Sequence, residues 1–230
     1  MMKFIYFIVA SAVCAAVPLE VEAVIPGTAA QPSIYNVTIT KAELCHSSAC
    51  SNPFLLGAGN KSFNIASASA GADVGSFVDI SQIPLFQTWT HVRVTISSTI
   101  SVGGTWTDGD GDACGTSNAA QASGHAAVYS ASAGGTAAAA NFVIPNVGFS
   151  GITQADFDGF NLSKAGGAAT ATVLYPLSAP YVCKGVMPHI AVKFNTASAL
   201  GYVAGTNGGA NTACQAFPRP PDVSITVYDP

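Results

Sequence analysis

Charged side chains are scarce in this sequence. Only 9% of its 230 residues are Asp, Glu, Lys or Arg, against about 25% in an average soluble domain. Its 8 basic residues are outnumbered by 12 acidic ones, so the chain lacks the positive surface that nucleic acid requires and we expect no nucleic-acid partner. Ser, Thr, Asn, Gln and backbone groups must cover the surface instead, and little electrostatic repulsion keeps copies of the chain apart.

A long apolar run is also missing. Residues 4–17 form an apolar run of about 14 residues, which is shorter than the roughly 20 needed for a membrane-spanning helix. The run follows Lys3 and precedes Val21-Glu22-Ala23, an arrangement typical of a signal peptide with an A-x-A-like cleavage site. We therefore expect residues 1–23 to be removed, with cleavage near Ala15 as the alternative. The mature protein is predicted to be secreted, extracellular or on the cell surface, and without a membrane span.

Common catalytic motifs are absent too. The sequence has no G-x-S-x-G nucleophile elbow, no H-E-x-x-H metal motif and no G-x-x-x-x-G-K-[ST] phosphate loop. Its 4 histidines are dispersed, and none lies in a pattern that would supply a nucleophile with a base. We therefore predict that the protein is not an enzyme.

Short segments in which apolar and polar residues alternate run through the sequence. Within residues 33–40, Tyr35, Val37 and Ile39 fall on one face of an extended chain, and the polar residues between them fall on the other. A period of two is typical of a half-buried strand. Residues 33–40 are therefore predicted to form a strand.

Two other segments, residues 91–97 and 222–228, repeat this alternation. In the second of them Val223, Ile225 and Val227 share the apolar face. Weaker strand candidates are rich in β-branched or aromatic residues and are bounded by Gly, Pro, Asn or Ser. These candidates are residues 61–65, 76–80, 126–129, 141–144, 170–175 and 189–194.

About nine strands with few helix signals indicate an all-β fold. We predict an antiparallel β-sandwich of jelly-roll or immunoglobulin-like type, with at most one short helix at the capping pattern Thr153-Gln154-Ala155-Asp156. Residues 24–230 are long enough for one large β domain and do not require two. Within them, residues 215–230 are predicted to be a proline-rich connector followed by a terminal strand.

One acidic loop stands out against the low charge. Asp108, Asp110 and Asp112 alternate with glycine, so the backbone can curl until the three carboxylates converge on a hard cation such as Ca²⁺. Ala113 and Ala119 stand where an EF-hand has glycine and glutamate, so the predicted metal site would be of another type. A solvated Asp-Gly hairpin tip is the alternative interpretation.

Five of the 6 cysteines lie in the predicted mature chain, and an oxidising compartment would pair most of them. We predict a tight Cys45–Cys50 loop and a longer Cys183–Cys214 bridge. Cys114 would then be the odd thiol, free or linked to a second molecule. Pairing of Cys114 with Cys214 stays open as an alternative.

Two tryptophans, Trp89 and Trp106, have two interpretations. An exposed indole ring beside a Ca²⁺ loop could stack on a sugar ring. Trp89 and Trp106 each lie between threonines in a strand-like segment, and such tryptophans are more often buried in a core or an interface. Burial is therefore the favoured interpretation.

Two functions fit these features. The first is a structural subunit that assembles with copies of itself into a filament, a pilus-like fibre or a surface layer, in which the strand of Tyr35, Val37 and Ile39 or that of Val223, Ile225 and Val227 is donated to a neighbour. The composition resembles that of bacterial pilus and fimbrial subunits, although no family motif accompanies it. The alternative is a monomeric Ca²⁺-dependent carbohydrate-binding or adhesin module, whose partner would be a glycan or another surface ligand.

Overall fold

Strands dominate the structure. The computed structural model describes residues 28–67, 82–107, 111, 113–118, 129–131, 134–148, 153–186, 188–202 and 214–229. In chain order their elements are β1 (Thr28–Ala30), β2 (Ile34–Cys45), β3 (Phe54–Asn64), β4 (Thr88–Ser97), β5 (Thr99–Gly103), β6 (Thr105–Thr107), β7 (Ala113–Gly115), a 3-10 turn (Thr116–Asn118), β8 (Tyr129–Ala131), β9 (Ala140–Val143), α1 (Gln154–Gly159), β10 (Leu162–Ser163), β11 (Thr170–Val182), β12 (His189–Asn195), β13 (Leu200–Tyr202), β14 (Cys214–Pro218) and β15 (Asp222–Tyr228).

The large sheet holds nine of these strands. β3 lies along one side of β2, and β4 followed by β5 lies along the other. Beyond β4 come β11, β15 and β12 in that order, while β9 pairs with β5 and β10 with β11. All these pairs are antiparallel except β11 with β15, which run parallel and meet at Leu177 and Ile225. The all-β class is confirmed, and this parallel pair departs from the predicted antiparallel order.

A second sheet of four strands, in the order β1, β13, β14 and β8, covers part of the large sheet. The first apolar core lies between them, where Tyr35 and Ile100 of the large sheet share a cluster with Leu200 and Phe217 of the small one. The hairpin of β6 and β7 adds Trp106 to this cluster. Two sheets over a common core form a sandwich.

A second apolar core belongs to the other half of the large sheet. It contains Leu44, Leu56, Trp89 and Ile225, which come from β2, β3, β4 and β15. On β12, Phe194 is partly buried against the first core, whereas its neighbours in the strand support the second. The two cores therefore share strands, β2 and β12 among them.

The strand predicted over residues 33–40 is confirmed and continues to Cys45. Its alternation does not continue, because the pairing with β3 and β4 shifts register between Ile39 and Lys41. After a shift of one residue, the odd-numbered and even-numbered side chains of the strand exchange faces. Tyr35 therefore faces the first core, and Leu44 faces the second.

The other predicted strands have mixed outcomes. The segments at residues 91–97, 141–144, 170–175 and 189–194 fall within β4, β9, β11 and β12 to within one residue, and β15 has the predicted bounds. Residues 61–64 form the end of β3. The candidate at residues 76–80 lies outside the described chain, as does that at 126–129 apart from Tyr129.

Several short strands were not predicted. β1, β6, β7 and β13 have three residues each, which is too few to establish a period of two. β14 occupies residues 214–218, so the proline-rich connector within 215–230 is confined to residues 219–221. Residues 214–218 form a strand rather than a connector because β13 and β8 pair with the two edges of this segment.

The predicted capping box begins the one described α-helix. The hydroxyl oxygen of Thr153 accepts a hydrogen bond from the Asp156 amide at 3.3 Å, and the Asp156 carboxylate accepts one from the Thr153 amide at 2.7 Å. The Thr153 hydroxyl, at 2.7 Å, and the Thr153 amide both donate to the Asp156 carboxylate and hold the pKa of Asp156 below its ordinary value. Thr153 therefore caps α1 and Asp156 completes the capping box, as the sequence indicates.

The predicted signal peptide lies outside the described residues, so its cleavage after Ala23 stays a prediction. Within the described chain, no helix combines the length and the apolar character that crossing a membrane would require.

Candidate functional site

A polar groove of about 470 Å³ lies on the large sheet where five of its strands meet. None of its lining residues is ionisable, and all except Ile100 carry a hydroxyl or an amide. The lining consists of Asn36 and Thr38 on β2, Ser62 and Asn64 on β3, Ser97 on β4, Thr99, Ile100 and Ser101 on β5, and Asn141 on β9.

Hydrogen bonds hold several walls of the groove in place. The hydroxyls of Thr38 and Ser62 lie 2.7 Å apart and connect β2 to β3. The side-chain oxygen of Asn64 accepts the Tyr35 amide at 3.0 Å, and the Ser97 hydroxyl accepts the Thr99 amide at 3.1 Å. These bonds involve uncharged donors and acceptors, so the groove suits a neutral, hydroxyl-rich or amide-rich surface rather than acid-base chemistry.

The alternation of β2 explains two of the nine lining residues of this groove. Tyr35 and Val37 point into the first core, so Asn36 and Thr38 between them line the opposite face. This part of the polar face is predicted by the sequence. The walls from β3, β5 and β9 are not, because the sequence does not show which strands lie beside β2.

An ion cluster lies farther along β2. Glu43 is buried, and its carboxylate contacts the Arg93 Nε at 2.8 Å and the Lys41 Nζ at 3.1 Å. Burial opposes its ionisation, but hydrogen bonds and charge attraction from Arg93 and Lys41 outweigh burial, so the pKa of Glu43 is lower than usual. Glu43 and Arg93 are direct partners across β2 and β4. The sequence does not show which strands are neighbours, so it does not predict this ion cluster.

Replacing Glu43 with glutamine is expected to destabilise the protein by about 2 kcal/mol at pH 7, because two partly exposed cations lose their common anion. The folded-state pKa is lowered, so the contribution of Glu43 is present above the ordinary value of 4.5 and is lost as the pH falls through the folded value. Urea unfolding at pH 7 and in acid should therefore show that the difference in free energy of unfolding between wild type and Glu43→Gln is smaller in acid. Asp158→Asn, at an exposed position of α1, is the control and should stay close to wild type at pH 7. An equal gap at both pH values would contradict this role.

The cysteines pair differently from the prediction. The Cys45–Cys50 disulfide is confirmed. Cys183 is free and buried in the second core, so the predicted Cys183–Cys214 bridge is wrong. The physical reason is location, since β14, on which Cys214 lies, belongs to the small sheet over the first core.

Cys114 is disulfide-bonded, so its prediction as the odd thiol is also wrong. It is buried within the first core. The side chain of Cys214 lies outside the described part of the structure. Pairing of Cys114 with Cys214, the alternative weighed from the sequence, therefore stays a prediction.

Thiol titration checks this pairing. With Cys45–Cys50 closed and Cys114 paired to Cys214, the mature chain should contain a single thiol, at Cys183. Because that thiol is buried, it should react with Ellman's reagent only after denaturation. Cys183→Ser should remove the reaction altogether. Three reactive thiols in the denatured wild type would show that Cys114 is unpaired.

The predicted calcium ligands Asp108, Asp110 and Asp112 lie outside the described residues. Elsewhere in the described chain, no group of three His, Cys, Asp or Glu side chains could hold a metal ion. A Ca²⁺ site therefore stays a prediction of the sequence.

Both tryptophans are core residues. Trp89 is 1% exposed in the second core and Trp106 is 6% exposed in the first. The Trp89 ring stacks on the His46 imidazole with the ring centres 4.0 Å apart. Neither ring can offer a face to a sugar, and the interpretation as core packing is confirmed.

Both predicted assembly strands are interior strands. The strand with Tyr35, Val37 and Ile39 has partners on both sides in β3 and in β4 with β5. The strand with Val223, Ile225 and Val227 pairs with β12 along its length and with β11 at Ile225. Within one molecule, both segments therefore have ordinary sheet partners.

No protein-family model, curated protein or solved structure matches this chain. Functional conclusions therefore rest on the geometry of the sheets and the groove.

Proposed function

We propose that the protein is an exported structural subunit that associates with copies of itself into an extracellular filament or surface layer. The observation that carries this proposal is that the sheets are open. Among the described strands, β12, β9 and β3 lie at edges of the large sheet, and β1 and β8 end the small one. An open edge carries backbone donors and acceptors that another chain can satisfy.

The distribution of charge supports association. The groove over five strands of the large sheet has no ionisable lining residue. Glu43 is buried and its charge is balanced by Lys41 and Arg93, so this carboxylate adds no negative charge to the free surface. Two such surfaces can approach each other with little repulsion and without stripping water from ions.

The direct test is assembly of the purified mature protein, residues 24–230. Electron microscopy and light scattering over a concentration series should show ordered particles that grow with concentration. Since few charges are involved, assembly should persist in about 1 M salt, where screening is nearly complete. A monodisperse monomer at every concentration would refute the proposal.

The groove favours a second candidate function, a module that binds a neutral glycan. Its hydroxyl and amide lining can exchange hydrogen bonds with sugar hydroxyls, and its volume is within the usual range of small-ligand sites. None of its lining residues is aromatic, so it has no ring on which a sugar could stack. This difference places glycan binding second.

A glycan array with monomeric protein tests the second candidate. Asn36→Asp keeps the side-chain shape but places a carboxylate in the groove, so binding of a neutral glycan should be lost. The control Ser224→Asp changes an exposed residue of β15, far along the sheet from β2, and should leave binding intact.

Calorimetry with Ca²⁺, compared between wild type and Asp110→Asn, tests the predicted calcium loop separately.

A further inference from the structure

We propose that β1 is the strand exchanged between copies, and that it pairs with β13 of a second copy of this chain. This inference rests on the proposed self-association and names the contact that produces it. It replaces donation of β15 or β2 with exchange of a short strand at the edge of the small sheet.

β1 is weakly held within its own molecule. It has three residues, two of them exposed, and pairs with β13 at the edge of the small sheet. Of its residues, Ala30 alone packs against the first core. Release of β1 would therefore expose little apolar surface.

The chain is anchored immediately after β1. Pro32 is fully buried. The Ser33 amide and hydroxyl both donate to the Gly103 carbonyl, at 2.8 and 3.2 Å. β1 can therefore swing about the exposed Gln31 while the strand that follows it stays in place.

β13 is a firm acceptor strand. Its other edge pairs with β14, and Leu200 is fully buried in the first core. At Gly201, a Cβ atom would collide with the Phe217 ring, so the absent side chain lets β13 lie close against that ring. If β1 leaves, the backbone groups of β13 lose their partners, and β1 from a second copy restores identical bonds.

An exchange of this kind propagates. The donated strand and the accepting strand are different surfaces, so each copy can give β1 to one neighbour and receive β1 from another. Such a head-to-tail contact forms an open filament when it does not close into a ring. The proposal therefore supplies both a contact and a reason for fibres.

The terminal strand β15 and the two long edge strands are less suitable. β15 has seven pairs with β12, and its Ile225 is 2% exposed in the second core, so its removal would open that core. The long edge strands β3 and β12 each carry a lysine, Lys61 and Lys193, and lysine on an edge discourages pairing with another chain. β1 and β13 carry no charge.

Cross-linking between variants that each carry one added cysteine, made in a Cys183→Ser background to remove the native free thiol, tests the exchange. Thr28 and Tyr202 are direct partners across β1 and β13, so Thr28→Cys and Tyr202→Cys proteins, separately purified and then mixed, cannot form this link within one chain. After assembly, a short bismaleimide should join residue 28 of one copy to residue 202 of another, as seen by mass spectrometry. The covalent dimer should be present in the assembled fraction and absent from the monomer fraction.

A matched pair tests the alternative strand. Lys193 and Ser224 are exposed direct partners across β12 and β15, and a mixture of Lys193→Cys with Ser224→Cys should give no covalent dimer. If this mixture cross-links and the first one does not, β15 is exchanged and the proposal is wrong. Assembled particles without either cross-link would overturn strand exchange but leave self-association intact. No particles at all would overturn the proposed function itself.

Locking β1 provides a second readout in one chain. Thr28→Cys with Tyr202→Cys in the same molecule should close a disulfide between β1 and its own β13, block assembly, and release assembly after reduction. Loss of Tyr202 also removes a ring contact with Trp106. A photo-reactive amino acid at position 28, with β13 unchanged, therefore serves as the variant that does not depend on Tyr202. Assembly by the oxidised double variant would contradict the proposal.

Discussion

Replacing Gly115 with alanine is expected to destabilise the protein by about 3 kcal/mol or more, because the new methyl group has no space. An added Cβ would overlap the carbonyl group of Gly135 and lie 2.6 Å from the amide nitrogen of Thr136. Neither obstacle is a side chain that can rotate away. The approach is reciprocal, since a Cβ on Gly135 would lie 2.5 Å from the Gly115 carbonyl oxygen.

Urea unfolding of the folded fraction measures this loss, and Gly166→Ala is the matched control. A Cβ at Gly166 would meet nothing within 4 Å, so this variant should be neutral or slightly stabilised through its unfolded state. Equal stability of the Gly115 and Gly166 variants would mean that the two backbones do not lie in contact.

Replacing Thr116 with valine is expected to cost about 2–4 kcal/mol without changing the shape of the side chain. Thr116 is 2% exposed. Its hydroxyl accepts the amides of Gly104 and Ala138 at 3.1 and 3.0 Å, and donates to the Ala138 carbonyl at 2.5 Å. Valine would leave two amides and one carbonyl without this partner.

Thr116→Ser separates the hydroxyl from the methyl group. Serine keeps the three hydrogen bonds and loses one methyl, so it should cost about 1 kcal/mol. Thermal or urea unfolding of both variants gives the comparison. If serine were as damaging as valine, the methyl contact rather than the hydrogen bonds would hold this region.

Both positions act on the same local structure. The loop at residues 134–138 is joined to the β6–β7 hairpin and the turn after it by Thr116, by the Gly134 amide donating to Ala113, and by the Ser117 amide donating to Thr136. This hairpin places Trp106 and Cys114 in the first core beside Leu200 of β13. Stability at Gly115 and Thr116 is therefore a condition for a well-formed acceptor strand.

The sequence predicts those strands in which apolar and polar residues alternate over enough positions to establish a period of two. β4 and β15 are correctly placed because each has about seven residues of clear period two. For β2, the predicted alternation holds up to Ile39 and not beyond it. The register shift there depends on the pairing with β3 and β4, so the sequence of β2 alone does not reveal it. The capping box of α1 succeeds because all its partners lie within four residues of one another.

The functional surfaces depend on contacts between distant segments. The polar face of Asn36 and Thr38 follows from local alternation, but Ser101 and Asn141 join it through sheet order. Cys45–Cys50 is a local pair and was predicted, whereas the state of Cys183 depends on the core in which β11 ends. β1 was missed because three residues, Thr28 to Ala30, carry no periodic signal and gain strand structure from β13.

The position of β15 has a consequence for the order of folding. It lies between β11 and β12, both of which precede it in the chain, and it is the strand that joins β12 to the large sheet. The large sheet therefore cannot be completed until synthesis has passed Tyr228. Long-range pairing of this kind is slow, so a newly made chain spends an interval with the site for β15 unfilled. During that interval, segments of other chains compete for the same backbone groups.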